Sequence, residues 1–134
     1  MKLIYPAIFT PLSTNPSGYC VEVPDLPGCV TQGDNIEMAI EMAEDAASGW
    51  ILTSIEDGED IPKPSKLGNV VCEKAGFVNY ISLDMEGYAK KCSVKSVKKT
   101  LTIPQWLNTA AEKDGINFSQ VLQSALKEQL NLFP

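Results

Sequence analysis

Three short runs near the start of the chain are predicted to be β-strands: the first is rich in β-forming residues, and the second alternates hydrophobic and polar positions. The runs are Lys2–Pro11, Tyr19–Val23 and Cys29–Gln32. Turn-forming residues separate them at Ser13–Gly18 and Pro24–Gly28, where proline, asparagine and glycine favour chain reversal. The first two strands are therefore predicted to pair as a hairpin.

Apolar residues then recur at i, i+3, i+4 and i+7 spacing, which predicts one amphipathic helix. Asp34 is its predicted N-cap, and Glu37 three residues later completes a capping box. The acidic loop Glu56–Asp60 follows, and Pro62 and Pro64 prevent the helix from continuing beyond it. The predicted apolar stripe consists of Ile36, Ala39, Ile40, Ala43, Ala47, Trp50 and Ile51.

Two further runs with strand character follow, Asn69–Glu73 and Phe77–Met85, and a short loop between them predicts a second hairpin. The five strands and one helix predict a compact α+β domain over residues 1–85. Residues 86–96 become increasingly basic and are predicted to be a linker.

The last segment, residues 97–134, is predicted to form a strand and two helices. Along the strand Lys98–Ile103, apolar and polar side chains occupy opposite faces. Pro104 suits the first turn of a helix, Asp114 and Gly115 end that helix, and Asn117 is the predicted N-cap of the next. The apolar sides carry Trp106, Leu107, Ala110 and Ala111 in the first helix and Phe118, Val121, Leu122, Ala125, Leu126 and Leu130 in the second.

One strand and two short helices bury too little apolar surface to fold alone, and an isolated strand leaves its N–H and C=O groups unpaired. Pairing the strand with its copy in a second chain resolves both problems, so the segment is predicted to dimerise. The dimer core is predicted to contain Leu101, Ile103, Trp106, Leu107, Val121, Leu122, Ala125 and Leu126.

The sequence Lys-Lys-Thr-Leu-Thr-Ile-Pro at 98–104, followed by Gly-Ile-Asn-Phe-Ser at 115–119, resembles the ribbon-helix-helix pattern of DNA-binding proteins. The resemblance implies that the paired ribbon enters the major groove and that the N-terminus of the second helix binds phosphate. A helical hairpin that serves only dimerisation is the alternative. The predicted DNA-binding residues are Lys98, Thr100, Thr102, Asn117, Phe118 and Ser119.

Charge is distributed unevenly along the chain. Residues 1–89 contain four lysines and fourteen acidic residues, a net charge of −10, whereas residues 90–134 contain seven lysines and three acidic residues, a net charge of +4. Basic surface binds polyphosphate, and acidic surface attracts cationic proteins. We therefore expect two modules with different partners, with chance clustering of solvated charges as the alternative.

The absence of histidine excludes Ser-His-Asp and Cys-His catalytic groups, although enzymes built on lysine, aspartate or glutamate stay open. The four cysteines form no Cys-x-x-Cys pair and are interpreted as small hydrophobes rather than zinc ligands. No apolar run approaches the roughly 20 residues that span a bilayer, and the first residues lack the apolar core of a signal peptide. We expect a cytoplasmic protein with no cofactor, no bound metal and no membrane partner.

Three segments of the N-terminal domain resemble the HicB family of antitoxins: Tyr5–Phe9, Gly18–Tyr19 and Val23–Asp34, the last containing Pro-Asp-Leu-Pro-Gly-Cys. The resemblance continues through the helix and, more weakly, to Met85. It implies a partial ribonuclease-H-like fold, in which a small sheet packs against one helix. It also implies a partner, HicA, a small basic toxin that has a double-stranded-RNA-binding-like fold and cleaves mRNA. HicB proteins carry a helix-turn-helix or a ribbon-helix-helix tail, and this tail resembles the second kind.

Acidic side chains of the N-terminal domain are candidate contacts with such a toxin, because an RNA-binding surface is basic. An exposed charge contributes only ~0–1 kcal/mol, so an apolar centre must supply most of the affinity. The sequence does not locate that centre. The acidic candidates are Glu37, Glu41, Glu44, Asp45, Asp57, Glu59 and Asp60.

The resemblance implies a non-enzymatic antitoxin that covers the RNA-binding and catalytic surface of a HicA-type toxin and represses its own operon, and the charge distribution is consistent with this. It is expected to bind operator DNA as a homodimer and to form a heterotetramer or a larger assembly with the toxin. One alternative is a free-standing repressor with a ligand-sensing N-terminal domain. Another is a Mg²⁺-dependent nuclease, for which Asp25, Asp34 and Asp84 are the possible ligands. Against the nuclease, Asp25 lies in a proline-bracketed turn and Asp34 has a capping role.

Overall fold

The computed structural model describes residues 2–72, 75–92 and 95–131. The chain divides into two compact units, Met1–Ser93 and Val94–Pro134. The first unit contains strands β1 (Lys2–Pro11), β2 (Tyr19–Glu22), β3 (Val30–Gly33) and β4 (Phe77–Asp84), helices α1 (Ile36–Glu56) and α2 (Met85–Cys92), and a 3₁₀ turn at Leu67–Asn69. The second unit contains α3 (Gln105–Lys113) and α4 (Phe118–Leu130).

The four strands of the first unit form an antiparallel sheet in the order β3-β2-β1-β4. The three N-terminal strands lie within one residue of their predicted bounds, and the predicted β1–β2 hairpin is confirmed by the pairing of Pro11 with Tyr19. These elements support an α+β fold for the first unit. The segment Gly28–Val30, which leads into the edge strand β3, lies beside α1.

Helix α1 covers one face of the sheet with small side chains. Ala39, Ala43, Ala47 and Ile51 are buried in the helix, and Tyr5, Ala7, Phe9 and Val21 are buried in the sheet. The approach is closest at Gly33, where a Cβ atom would overlap the backbone of Ala39. Three residues of the predicted stripe are not buried: Ile40 and Trp50 are half-buried, and Ile36 lies in the first turn with 37% of its surface exposed.

The predicted N-cap of α1 is wrong by one residue. Asn35 has the extended backbone of a cap, and its side chain accepts a hydrogen bond from the amide of Met38 at 2.9 Å. The carbonyl of Asp34 instead accepts hydrogen bonds from the side chains of Asn15 and Ser17. Asp34 therefore belongs to the turn that precedes the helix.

The predicted hairpin between Asn69–Glu73 and Phe77–Met85 is also wrong. Residues 70–72 have no regular secondary structure, Asn69 ends the 3₁₀ turn, and Glu73 lies outside the described residues. Strand β4 pairs instead with β1, from Phe9 opposite Phe77 to Lys2 opposite Asp84. The ten-residue β1 strand has room for β2 at its C-terminal end and for β4 along most of its length.

Residues 85–92 form α2, although residues 86–96 were predicted to be a linker. The helix follows β4 directly, and the Asp84 side chain accepts a hydrogen bond from the amide of Gly87 at 3.1 Å. Met85 is buried, so the start of α2 belongs to the core of the first unit. The prediction missed this helix because its apolar anchor is a single residue.

Both predicted helices of the second unit are present. Asp114 is the C-cap of α3, and Gly115 has a φ of +68°, a conformation that favours glycine. Asn117 caps α4 by accepting a hydrogen bond from the amide of Gln120 at 3.1 Å. Pro104 lies at the N-cap of α3 rather than inside its first turn. None of the described helices is long and apolar enough to span a bilayer.

Candidate functional site

The second unit exposes nearly all of its apolar side chains. No residue of α3 or α4 is buried, and the exposed fraction reaches 72% for Trp106 of α3 and 60% for Leu130 of α4. Leu101 and Ile103, which precede α3, are exposed as well. A folded unit with this surface lacks a core of its own, and water contacts the side chains that would normally form one. The residues predicted for the dimer core are thus available to a partner.

The segment predicted as a strand, residues 98–103, has no regular secondary structure in the single chain. Lys98, Thr100 and Thr102 lie along this segment and are exposed. At the start of α4, Asn117 uses its side chain to cap the helix, and Phe118 and Ser119 are exposed. All six predicted DNA-binding residues are therefore on the surface, in two short stretches of the second unit.

The four acidic candidates on α1 share one face of that helix, at i, i+4, i+7 and i+8 spacing. Glu41, Glu44 and Asp45 line a cavity together with Tyr88 and Lys91 of α2, whereas Glu37 is exposed in the first turn. Lys91 places a positive charge among these carboxylates. Burial raises the pKa of Tyr88, with smaller contributions from Cys92 and Asp45. Lys91 therefore offsets part of the negative charge on this flank of α1.

The other acidic candidates lie at the C-terminal end of α1. Asp57 is the C-cap of the helix, and its backbone amide bonds to the carbonyls of Thr53 and Ile55. Glu59 is held by a hydrogen bond from its amide to the carbonyl of Ser54 at 2.8 Å. Both residues line a groove of about 450 Å³, and Asp60 follows them in the exposed loop.

The groove lies between α1 and the start of β3, and its lining is mixed apolar and acidic. Trp50 belongs to this lining, although the sequence placed it in the buried stripe. Its indole N–H donates a hydrogen bond to the carbonyl of Pro27 at 3.0 Å, which fixes the ring at the edge of the sheet. The groove is lined by Gly28, Cys29, Val30, Ala46, Gly49, Trp50, Thr53, Ser54, Asp57 and Glu59.

Two of the three aspartates considered as metal ligands use their carboxylates in hydrogen bonds within the first unit. Asp25 accepts hydrogen bonds from the amide and the hydroxyl of Ser65 at 2.8 and 2.6 Å, and Asp84 bonds to the start of α2. Within the described ranges, no group of three histidine, cysteine, aspartate or glutamate side chains is arranged to hold a metal ion. Burial raises the pKa of the Cys29 thiol, which keeps this side chain neutral near pH 7.

Comparisons with known sequences agree with the geometry. A sequence model of the HicB-like antitoxins of bacterial toxin–antitoxin systems matches residues 5–125. An uncharacterised 14.9 kDa protein from the rep-hol intergenic region of Haemophilus phage HP1 is 31% identical over 93 residues, 67% of each chain. Antitoxin HicB 1 of Photorhabdus laumondii is 42% identical over 64 residues, which are 48% of this chain and 40% of that protein. The second match spans less than half of the antitoxin.

A comparison with solved structures covers almost the whole chain. A chain in the structure of a toxin–antitoxin complex from Streptococcus pneumoniae is similar with a TM-score of 0.62 and 28% sequence identity. The match covers 96% of this chain and 99% of that one. The similarity thus includes both the sheet-containing unit and the helical unit.

Proposed function

The chain belongs to the family of HicB-like antitoxins of bacterial toxin–antitoxin systems, and we propose that it neutralises a small basic HicA-type toxin and represses its own operon. In this proposal it is a regulator rather than an enzyme. The first unit binds the toxin and covers its RNA-binding and catalytic surface. The second unit forms a homodimer and binds operator DNA.

The observation that carries the proposal is the missing core of the second unit. Its helices have no buried residue, although their sequences carry regular apolar sides. A second copy of the same segment supplies matching apolar surface and a partner strand for residues 98–103, as in a ribbon-helix-helix dimer. Burial of apolar surface contributes about 25 cal/mol per Å², so the exposed side chains favour this association.

The proposed DNA contact follows from the alternation along residues 98–103. When Leu101 and Ile103 face the dimer core, Lys98, Thr100 and Thr102 face outward together on the paired ribbon. Lysine donates to guanine O6 and N7 or to phosphate, and threonine hydrogen-bonds bases or contacts the thymine methyl group. The amides at the start of α4 add a site for phosphate, which fixes the register.

Charge separates the two activities along the chain. The net charge of +4 over residues 90–134 favours DNA, and the net charge of −10 over residues 1–89 favours a cationic toxin. Because the acidic first unit is repelled by DNA, it does not bind the operator and stays accessible to the toxin. Antitoxin and repressor functions therefore belong to different surfaces of one chain.

Replacement of Lys98 tests the proposal. The chain should bind the DNA upstream of its own gene and should restore growth to cells that express a HicA-type toxin. Lys98→Ala should weaken DNA binding and lower the slope of log affinity against log salt by about 0.9 for each lost phosphate contact. Toxin neutralisation should be unchanged.

Lys63→Ala is the matched control, because Lys63 is an exposed lysine of the first unit. It should change neither the affinity for DNA nor its salt dependence. A wild-type chain that fails to bind its upstream DNA, or fails to restore growth, would contradict the corresponding half of the proposed function. If both the affinity for DNA and its salt slope were unchanged in Lys98→Ala, Lys98 would be removed from the DNA interface.

A further inference from the structure

We propose that the groove between α1 and Gly28–Val30 binds an arginine side chain of a cationic protein partner, with the side chain lying against Trp50 and its guanidinium group reaching Asp57 and Glu59. The inference rests on the proposed function, because the partner is the basic toxin. The groove provides the apolar contact surface that the acidic residues alone lack.

The shape of the groove suits one inserted side chain. Its volume of about 450 Å³ falls in the range of about 300–1,000 Å³ that is typical of ligand clefts. Val30, Ala46 and Trp50 provide apolar wall, which matches the aliphatic stem of an arginine. The groove is open to solvent along one side, so a residue on a partner's surface can enter it.

Trp50 is held in position before any partner arrives. Its indole N–H is used by the Pro27 carbonyl, so rotation of the ring would break a hydrogen bond. Tryptophan is the most favourable aromatic residue for contact with a cation, and a fixed ring loses little conformational entropy on binding. The groove therefore offers a prepared surface for a planar cation.

Electrostatics at the acidic end of the groove favours a cation for two independent reasons. Asp57 and Glu59 contribute two carboxylates, and none of the ten lining residues is a lysine or an arginine. The 21-residue helix α1 also ends here without a basic residue in its last turn, so no lysine or arginine of that turn offsets the negative end of its dipole. The opposite flank differs, because Lys91 stands among its acids.

Arginine fits this combination better than lysine does. A guanidinium group is planar, stacks on aromatic rings and donates hydrogen bonds to two carboxylate oxygens at once. A lysine ammonium is a compact, strongly hydrated charge that gains less from the indole. The groove should consequently distinguish arginine from both lysine and uncharged analogues of arginine.

An NMR titration of the full chain tests the inference directly. The indole ¹H–¹⁵N signals of Trp50 and Trp106 are followed while N-acetyl-arginine amide is added at constant ionic strength. We expect a saturable shift of the Trp50 signal and no shift of the Trp106 signal. N-acetyl-citrulline amide, which lacks the charge, should produce no shift, and N-acetyl-lysine amide should bind at least threefold more weakly.

Two charge-matched variants show whether the acids of the groove are responsible. Asp57→Asn with Glu59→Gln should weaken binding of the arginine probe at least fivefold. Glu22→Gln with Glu86→Gln removes the same charge from exposed positions outside the groove and should leave binding unchanged. Equal weakening by both variants, an unshifted Trp50 signal, or equal binding of the lysine probe would overturn the inference.

Toxin neutralisation by the same variants distinguishes this inference from the proposed function. If the wild-type chain and the Asp57→Asn, Glu59→Gln variant restore growth equally, the groove does not contact the toxin. The antitoxin function would remain intact. Failure of the wild-type chain to restore growth would contradict the antitoxin function, whereas the NMR titration would still report on the groove.

Discussion

Single side chains of the first unit connect parts of the chain that are far apart in sequence. The Tyr5 hydroxyl donates a hydrogen bond to the Pro62 carbonyl at 2.6 Å, and the Asp25 carboxylate accepts two from Ser65. These bonds attach the segment that follows α1 to the sheet. The sequence suggested metal binding as a possible role for Asp25, because a carboxylate alone does not reveal its distant partner.

The pH dependence of stability should report on Tyr5. Burial, followed by the charge of Asp25, raises the pKa of Tyr5 from its ordinary value of about 10 to about 12. The unfolded chain therefore loses this proton first, and the free energy of unfolding should fall as the pH rises from about 10 to about 12. Below pH 10 both states keep the proton and the contribution is fully present.

Denaturant unfolding of the wild-type chain and of Tyr5→Phe across this pH range provides the measurement. The phenylalanine variant is less stable near pH 8, because the hydrogen bond to Pro62 is lost. It should also lose less stability between pH 10 and pH 12 than the wild-type chain does. Parallel curves for the two proteins would show that Tyr5 does not carry the effect.

At the scale of elements, local patterns predicted what local interactions determine. The first three strands, α1, α3 and α4 follow from alternation, helical spacing, turn residues and caps. The predictions failed where strand pairing is long-range. Residues 69–72 have the composition of a strand and were predicted to pair with β4, but β4 pairs with the distant strand β1. Helix α2 was missed because its anchor, Met85, lies at the end of a strand pattern.

The candidate site shows the same division. Exposure of Lys98, Thr100 and Thr102 and of the acidic loop could be predicted from polarity alone. The groove beside Trp50 could not, because it requires the Gly28–Val30 segment to lie next to α1, as the sheet order dictates. The sequence offered one signal, since Trp50 stands at the margin of a stripe otherwise made mostly of small aliphatic residues.

The start of α1 provides a test at this scale. Asn35→Ala should lower the free energy of unfolding by about 1 kcal/mol, because it removes the acceptor for the Met38 amide. Asp34→Ala is the matched control and should have a smaller effect, since the contacts at Asp34 are made by its backbone carbonyl. Urea unfolding at one fixed protein concentration measures both, and a larger loss in Asp34→Ala would contradict the assignment of the cap.

For the whole molecule, the two units differ in charge and in how completely they are folded by their own contacts. The first unit has a buried core between its sheet and α1, whereas α3 and α4 have no buried residue. The proposed homodimer links these facts to function, because a ribbon that reads DNA exists only when two chains pair. Stability of the second unit should accordingly depend on protein concentration.

Sedimentation equilibrium of the full chain, over a range of micromolar concentrations, tests this account most directly. We predict a species of twice the 14.6 kDa chain mass, which dissociates when Leu101→Asp and Ile103→Asp are combined, together with loss of binding to the upstream DNA. A wild-type chain that sediments at 14.6 kDa at every concentration and still binds that DNA would contradict it.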